Sequence, residues 1–172
     1  MLDRTAKARK GRPALRLLAS PAEQEDPTPT VSFCSHCGAR PDPDADPPAS
    51  RVCGTCGFGL ILESRADAAP SAGDAFLVLD RCLSVCAVSD AAERLLATCE
   101  PDAVNRHVTD LLMPAGAEDD GNESLSVAVM WAARGDAGMR SAVVRPANTF
   151  GIRLTARIAS CGPPRAALLV LE

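Results

Sequence analysis

The sequence predicts an α+β protein in two parts, a small four-cysteine ribbon followed by a larger domain in which strands flank helices. Three observations predict it. Two Cys-x-x-Cys pairs, Cys34/Cys37 and Cys53/Cys56, stand fifteen residues apart. From residue 74 to residue 172 the pattern runs strand, strand, short helices, longer helix, strand, strand, strand. The first and last of those strands are apolar at nearly every position, which is the mark of strands lying centrally in a sheet with both faces covered.

The cysteine pairs carry the chemistry. Four thiolates on two short knuckles close a tetrahedral site, and the interval between the pairs falls in the range of a four-cysteine zinc ribbon. Gly38 and Gly57 follow the two pairs, where the chain must turn back with positive φ to aim two sulfurs at one ion. Cys34, Cys37, Cys53 and Cys56 are therefore the expected ligands of a structural zinc. A closed four-cysteine site has no open position to activate water, so hydrolysis is not expected of it. A thioredoxin-like dithiol would need a single pair beside a βαβ pattern, and a disulfide framework would suit a secreted chain. His36, inside the first knuckle, reads as a solvent-facing residue, because four cysteines already saturate the metal.

Composition frames the rest. A chain of 172 residues with 47% hydrophobic residues has room for one ordinary domain and a small one, and a net charge of −4 does not suit a polyanion binder as a whole. The first ten residues hold charges and no apolar run, so no signal peptide is expected, and no apolar stretch approaches the roughly 20 residues of a membrane span. Zinc-type cysteines without a secretory signal suit a reducing cytoplasm. Residues 1–30 start basic, with Arg4, Lys7, Arg9, Lys10, Arg12 and Arg16, and continue polar with Pro21, Pro27 and Pro29; they read as a disordered arm. Within it Lys10-Gly11-Arg12-Pro13 is similar to the core of an AT-hook, so weak nucleic-acid contact is assigned to residues 1–16.

Residues 31–63 form the ribbon, with Val31, Phe33 and Val52 leading into the knuckles and Phe58 to Leu62 leaving as a strand packed around the metal. The unit is too small to fold without its ion. Between the knuckles, Pro41-Asp42-Pro43-Asp44-Ala45-Asp46-Pro47-Pro48 is a stiff acidic loop that phosphates would repel. Residues 64–73 read as a linker. In the domain at 74–172, Ala75 to Leu79 and Leu83 to Val88 make a hairpin, and Ser89 or Asp90 caps a helix through Leu95 and Leu96. A brief helix begins near Pro101, and Leu111 to Pro114 closes that region. Glu118 to Glu123 introduces a helix with Leu125, Ala128, Val129 and Ala132 on one face and Gly135 as its stop; Asp119, Asp120 and Glu123 read as charges complementing its dipole. The final strands are Ser141 to Arg145, Gly151 to Ser160, with Ile152, Leu154, Ala156 and Ile158 alternating against polar residues, and Arg165 to Leu171.

This order resembles a PAS domain over Asp74 to Glu172. The residues that carry the resemblance are Phe76-Leu77-Val78-Leu79-Asp80, Val88-Ser89-Asp90-Ala91-Ala92-Glu93-Arg94-Leu95-Leu96, and Asn105-Arg106-His107-Val108-Thr109-Asp110-Leu111-Leu112-Met113-Pro114. The last is similar to the family's Gly-Arg-x-x-x-Asp-Leu-x-x-Pro segment, with Asn105 where glycine is usual. The resemblance implies a five-stranded antiparallel sheet of order 2-1-5-4-3 with helices on one face, a sensory or interaction role, and dimerisation through the outer sheet face or a flanking segment.

The residues also restrict the ligand. Val108 stands where flavin photosensors of this family carry their reactive cysteine, and the chain has no tyrosine, which argues against flavin photochemistry and a phenol network. His107, the domain's one histidine, precedes the longer helix that usually carries a haem ligand, which argues against haem. Cys82, Cys86, Cys99 and Cys161 read as buried packing thiols, with Cys82 and Cys86 close enough in sequence to pair. No phosphate loop, His-Glu-x-x-His or nucleophile elbow is present, so no catalytic residue is assigned and no enzyme is expected. No kinase, cyclase or helix-turn-helix pattern follows the last strand, so output is expected through the ribbon, the arm or a protein partner. The reading is a zinc-binding regulatory protein of bacterial signal transduction or transcription control. Its rivals are a nucleic-acid-binding regulator using arm and ribbon, and a zinc-thiol redox sensor losing its ion when Cys53 or Cys56 is oxidised.

Overall fold

A computed structural model describes residues 28–41, 51–115 and 124–172. The basic segment 1–16 with its proposed nucleic-acid contact, the acidic residues 42–48 and the helix-start charges Asp119, Asp120 and Glu123 lie outside the described residues.

The strands are β1 (Thr30–Cys34), β2 (Ile61–Arg65), β3 (Ala75–Leu79), β4 (Val85–Val88), β5 (Leu112–Pro114), β6 (Arg140–Pro146), β7 (Leu154–Gly162) and β8 (Ala166–Leu171). The helices are α1 (Asp90–Leu96), α2 (Glu100–Ala103) and α3 (Leu125–Ala133), with a 3-10 turn at Val108–Asp110. All pairings are antiparallel. The five strands expected of the larger domain lie in the order β4-β3-β8-β7-β6, which is the 2-1-5-4-3 order that the resemblance implied. The apolar strands β3 and β8 are central, and every residue of β8 is buried. None of the described helices is long and apolar enough to cross a membrane.

The two sheet faces are both covered, by different elements. On one face Leu77 and Leu79 of β3, Leu169 of β8, and Ala156 and Ile158 of β7 pack with Ala92 and Leu96 of α1 and with Leu125, Ala128, Val129 and Ala132 of α3. The helix face predicted for α3 is thus the buried one, and Gly135 ends it with φ 90°. Ser89 caps α1 as expected: its Oγ accepts from the Ala92 and Phe76 N–H groups and donates to the Asp74 carbonyl. Asn105, at the usual glycine position, has φ 68°, the left-handed conformation that glycine enters freely and asparagine tolerates.

On the other face Phe76, Val78, Leu168 and Val170 pack with Phe33 of β1 and Leu62 of β2. Across a flat sheet, β1 and β3 would lie about 19 Å apart, four strand spacings of about 4.8 Å. Instead the Phe33 and Phe76 rings meet edge to face with centroids 5.9 Å apart. The sheet therefore curls until its first strand closes back over the outer face.

Strand β7 explains how the hairpin attaches. Its first half, Leu154 to Ile158, pairs with β6, while Cys161 and Gly162 pair with β2 on the same edge. Its outward side chains change accordingly: Thr155 is exposed and Arg157 half-buried, whereas Ala159 and Cys161 are buried.

Several expectations are corrected. The ribbon is not a bead on a flexible tether: Ser64 and Arg65 end β2, and Ala68, Ala69 and Pro70 are buried in the turn that follows. Among the described residues the sheet has eight strands, because the hairpin joins it and Leu112–Pro114 adds an edge strand on β6. Strand β7 starts three residues late, since Gly151 at φ 84° turns the chain ahead of it. The outer sheet face is covered by the chain's own hairpin, with Phe76 and Leu168 each 0% exposed.

Candidate metal centre

The centre is built from two turns of the same design. Gly38 N–H bonds the Cys34 carbonyl at 3.1 Å and Gly57 N–H bonds the Cys53 carbonyl at 2.9 Å. Gly38 has φ 71° and Gly57 φ 72°, as the sequence predicts for residues that must reverse the chain behind each pair. Backbone amides point at the leading sulfur of each knuckle: His36 N–H at Cys34 Sγ (3.4 Å) and Thr55 N–H at Cys53 Sγ (3.4 Å). Such donors favour the thiolate form that a metal needs. The knuckles are tied by Ser35, whose N–H bonds the Leu60 carbonyl and whose Oγ accepts from Leu60 N–H, and the second is closed on itself by Cys53 N–H on the Gly59 carbonyl.

The four predicted ligands converge. The sulfurs of Cys34, Cys37, Cys53 and Cys56 all lie within 4.8 Å of one another and could hold a metal ion. Cys34 and Cys56 sulfurs are 3.6 Å apart, and those of Cys37 and Cys53 are 3.9 Å apart. A tetrahedron with metal–sulfur bonds of about 2.3 Å has edges of about 3.8 Å, whereas a disulfide would bring two sulfurs to about 2.05 Å. The donor set and its spacing therefore fit a four-coordinate ion on soft ligands.

Burial raises all four thiols, and hydrogen-bond donors outweigh it only in the second knuckle. Burial pushes the Cys34 thiol up to about 12 and also raises Cys37. At Cys53 burial acts upward too, but the Cys56 and Thr55 backbone N–H groups outweigh it and bring the thiol down to about 7; Cys56 is likewise lowered, by the Gly59 and Phe58 amides acting against burial.

Two features of the centre were not read from the sequence. Gly59 is required by contact: a Cβ there would collide with Cys34 Sγ and stand 2.7 Å from His36 N. His36 is half-buried, not solvent-facing, and its Nδ1 is buried with no hydrogen-bond partner while its ring lies 6.0 Å from that of Phe58. Three of the residues expected to pack around the metal instead face outward, with Phe58 80% exposed and Val52 and Leu60 about half exposed.

The remaining cysteines separate. Cys161 is buried under the hairpin, and burial pushes its thiol up to about 12. Cys82, Cys86 and Cys99 are exposed, contrary to the packing role expected of them, and all are free thiols. Cys99 Sγ donates to the Asp102 carboxylate at 2.9 Å, a bond that raises its pKa. His107 is exposed, with Nδ1 against Thr109 Oγ1 at 2.7 Å, while Val108 is in the core.

No protein-family model and no curated protein matches the sequence. Among solved structures, the chain is similar to the PAS domain of nitrogen regulation protein NR(II) from Vibrio parahaemolyticus, with 16% identity and a TM-score of 0.43 over 58% of this chain and 88% of that one.

Proposed function

We propose that the protein is a zinc-binding regulatory protein in which a structural metal knuckle pair is fused to a PAS-like sensory or interaction domain. The observation that carries the reading is the convergence of Cys34, Cys37, Cys53 and Cys56 at tetrahedral spacing. Soft thiolates in a tetrahedral set select zinc or iron, and zinc is the common occupant of closed four-cysteine sites. With all four positions filled by protein, the ion shapes the chain and does not bind substrate, so the protein acts by contact and not by catalysis. The PAS-like part of the reading rests on the strand order β4-β3-β8-β7-β6 and on the Asn105 to Pro114 segment.

The recipient of the signal is a protein. The exposed Val52, Phe58 and Leu60 give the second knuckle an apolar surface of the kind that protein contacts use, and the acidic residues between the knuckles disfavour phosphates. Four-cysteine knuckles need reduced thiols to hold an ion, and that suits the cytoplasm.

Elemental analysis and a visible spectrum of the purified full chain test the metal reading together. The expected result is about one equivalent of zinc and no visible absorption band. Less than about half an equivalent after reconstitution with zinc overturns it, and a thiolate-to-iron band replaces zinc with iron.

A further inference from the structure

The first knuckle touches the rest of the fold at two places that a merely self-contained metal site would not need. The His36 carbonyl, inside the Cys34–Cys37 turn, accepts from the Asp90 N–H at 3.0 Å. Asp90 is the first residue of α1, and its amide is one of those that a helix leaves without an internal partner. Gly38, at the end of the same turn, lies so close to the Ser71 carbonyl that a Cβ would stand 2.5 Å from that oxygen. One residue ahead of Cys34, Phe33 covers the outer sheet face at Phe76.

Knuckle, helix start and sheet face are thus joined through four consecutive residues, Phe33 to His36, two of which, Phe33 and Cys34, are 0% exposed. The position of this segment depends on the turn that the ion holds. A two-stranded hairpin is marginal by itself, and a metal knuckle without its ion has little left to fix its backbone. The sheet edge contributes only the Glu63 and Ser64 pairing with β7 and the Ser64 Oγ bond to the Ser160 carbonyl. Those contacts hold β2 directly, and β1 only through its pairing with β2 and the Phe33 ring on the sheet face.

We infer that the metal centre is a latch: ion bound, it holds β1 across the outer face of the sheet and closes the N-terminus of α1; ion lost, β1 lifts, freeing the Asp90 amide and uncovering Phe76, Val78, Leu168 and Val170. The inference rests on the metal reading above and adds its regulation, since the state of the ion is then reported on a surface formed by the sensory domain's own central strands. Whatever removes the ion, a stronger chelating thiol or an oxidant of the cysteines, changes that surface without touching the helical core on the opposite face.

Amide hydrogen exchange resolved by residue, on the full chain with zinc and after chelation, tests it. The expected result is exchange at least about tenfold faster at Asp90 and in β1 at 31–34 in the chelated chain, while the amides of 76–79 and 166–170, bonded to strands on both sides, stay protected. Exchange in α3 and at Ala92, whose amide is held by Ser89 Oγ within the helix cap, stays unchanged. A dye that fluoresces on apolar surfaces binds only the chelated form. The variant Phe33→Ala, which leaves all four sulfurs in place, keeps its zinc and binds the dye with the ion present. Zinc bound with exchange altered only in residues 34–61 overturns the latch and leaves the metal reading standing. Loss of protection throughout, α3 included, also overturns it, because the ion would then hold the entire fold. A chain that takes up no zinc removes the metal reading and the latch with it.

Discussion

In the first knuckle Gly38 sits at φ 71° and in the second Gly57 sits at φ 72°, and each bonds back to the leading cysteine of its pair. Their surroundings differ completely. Cys34 and Cys53 are both buried, but Gly38 presses on the Ser71 carbonyl and His36 holds the Asp90 amide, while Gly54 and Gly57 have nothing within 4 Å of where a Cβ would stand. A sequence motif dictated the local turn twice, because the same reversal needs the same dihedrals. It did not dictate what each turn leans on. That was decided by neighbours distant in sequence, and it makes one knuckle part of the fold and the other part of the surface.

Phenylalanine truncation breaks this comparison most strongly. Phe33, fully buried beside Phe76, is expected to cost about 3–5 kcal/mol as Phe33→Ala, whereas Phe58→Ala at the exposed second knuckle stays within about 0.5 kcal/mol. Chemical denaturation of the two variants with zinc present reads the difference; equal losses would mean that the knuckles are equivalent. The glycines come next. Gly38→Ala meets both a positive φ and the Ser71 carbonyl, and about 2–4 kcal/mol is expected, against about 1–2 kcal/mol for Gly57→Ala, which meets the φ penalty alone. Melting curves of the two proteins side by side check the order.

A third change isolates the helix start that the first knuckle engages. Ser89→Ala removes an oxygen that serves two amides and one carbonyl, and a loss of about 1–2 kcal/mol is expected with zinc content unaltered. Reduced zinc in that variant would show the coupling to run from helix to metal as well. The smallest effect lies at the hairpin's exit, where the Arg65 side chain bonds Asp67 and holds its carboxyl below the usual carboxylate value. A carboxyl lowered in the folded state stabilises above its unfolded pKa of about 4 and loses that contribution as pH falls through its folded value. Asp67→Asn should therefore be less stable than the natural chain by under about 1 kcal/mol at neutral pH, as exposed ion pairs are. The gap should close in acid, and a gap that widened there would contradict the assignment.

Much of this was legible in the linear text because it is set by nearest neighbours. The cysteine interval and the following glycines specify the knuckles, Ser89 specifies a helix start, and the spacing of Leu125, Ala128, Val129 and Ala132 specifies a buried helix face. The apolar runs at Ala75–Leu79 and Ala166–Leu171 announce central strands, since only a strand covered on both faces has no reason to alternate. What was not legible is the curl. Nothing near Phe33 names Phe76 as its partner, and nothing near Ser64 names Cys161 as its pairing residue, so a stretch rich in Ala, Ser, Pro and Gly reads as a linker even though it runs beneath the fold. The exposure of Val52, Phe58 and Leu60 has the same origin: apolar residues beside a metal read as its packing until the larger core takes that role at Phe33 and Leu62.

The shared edge of β7 has a consequence for the chain's neighbours in solution. A strand of nine residues whose partner β6 pairs with only its first five would leave a stub of unpaired amides and carbonyls at Ala159 to Gly162. Such a stub invites a stranger's backbone. By setting Glu63 and Ser64 against Gly162 and Cys161, the hairpin works as a plug against promiscuous strand addition.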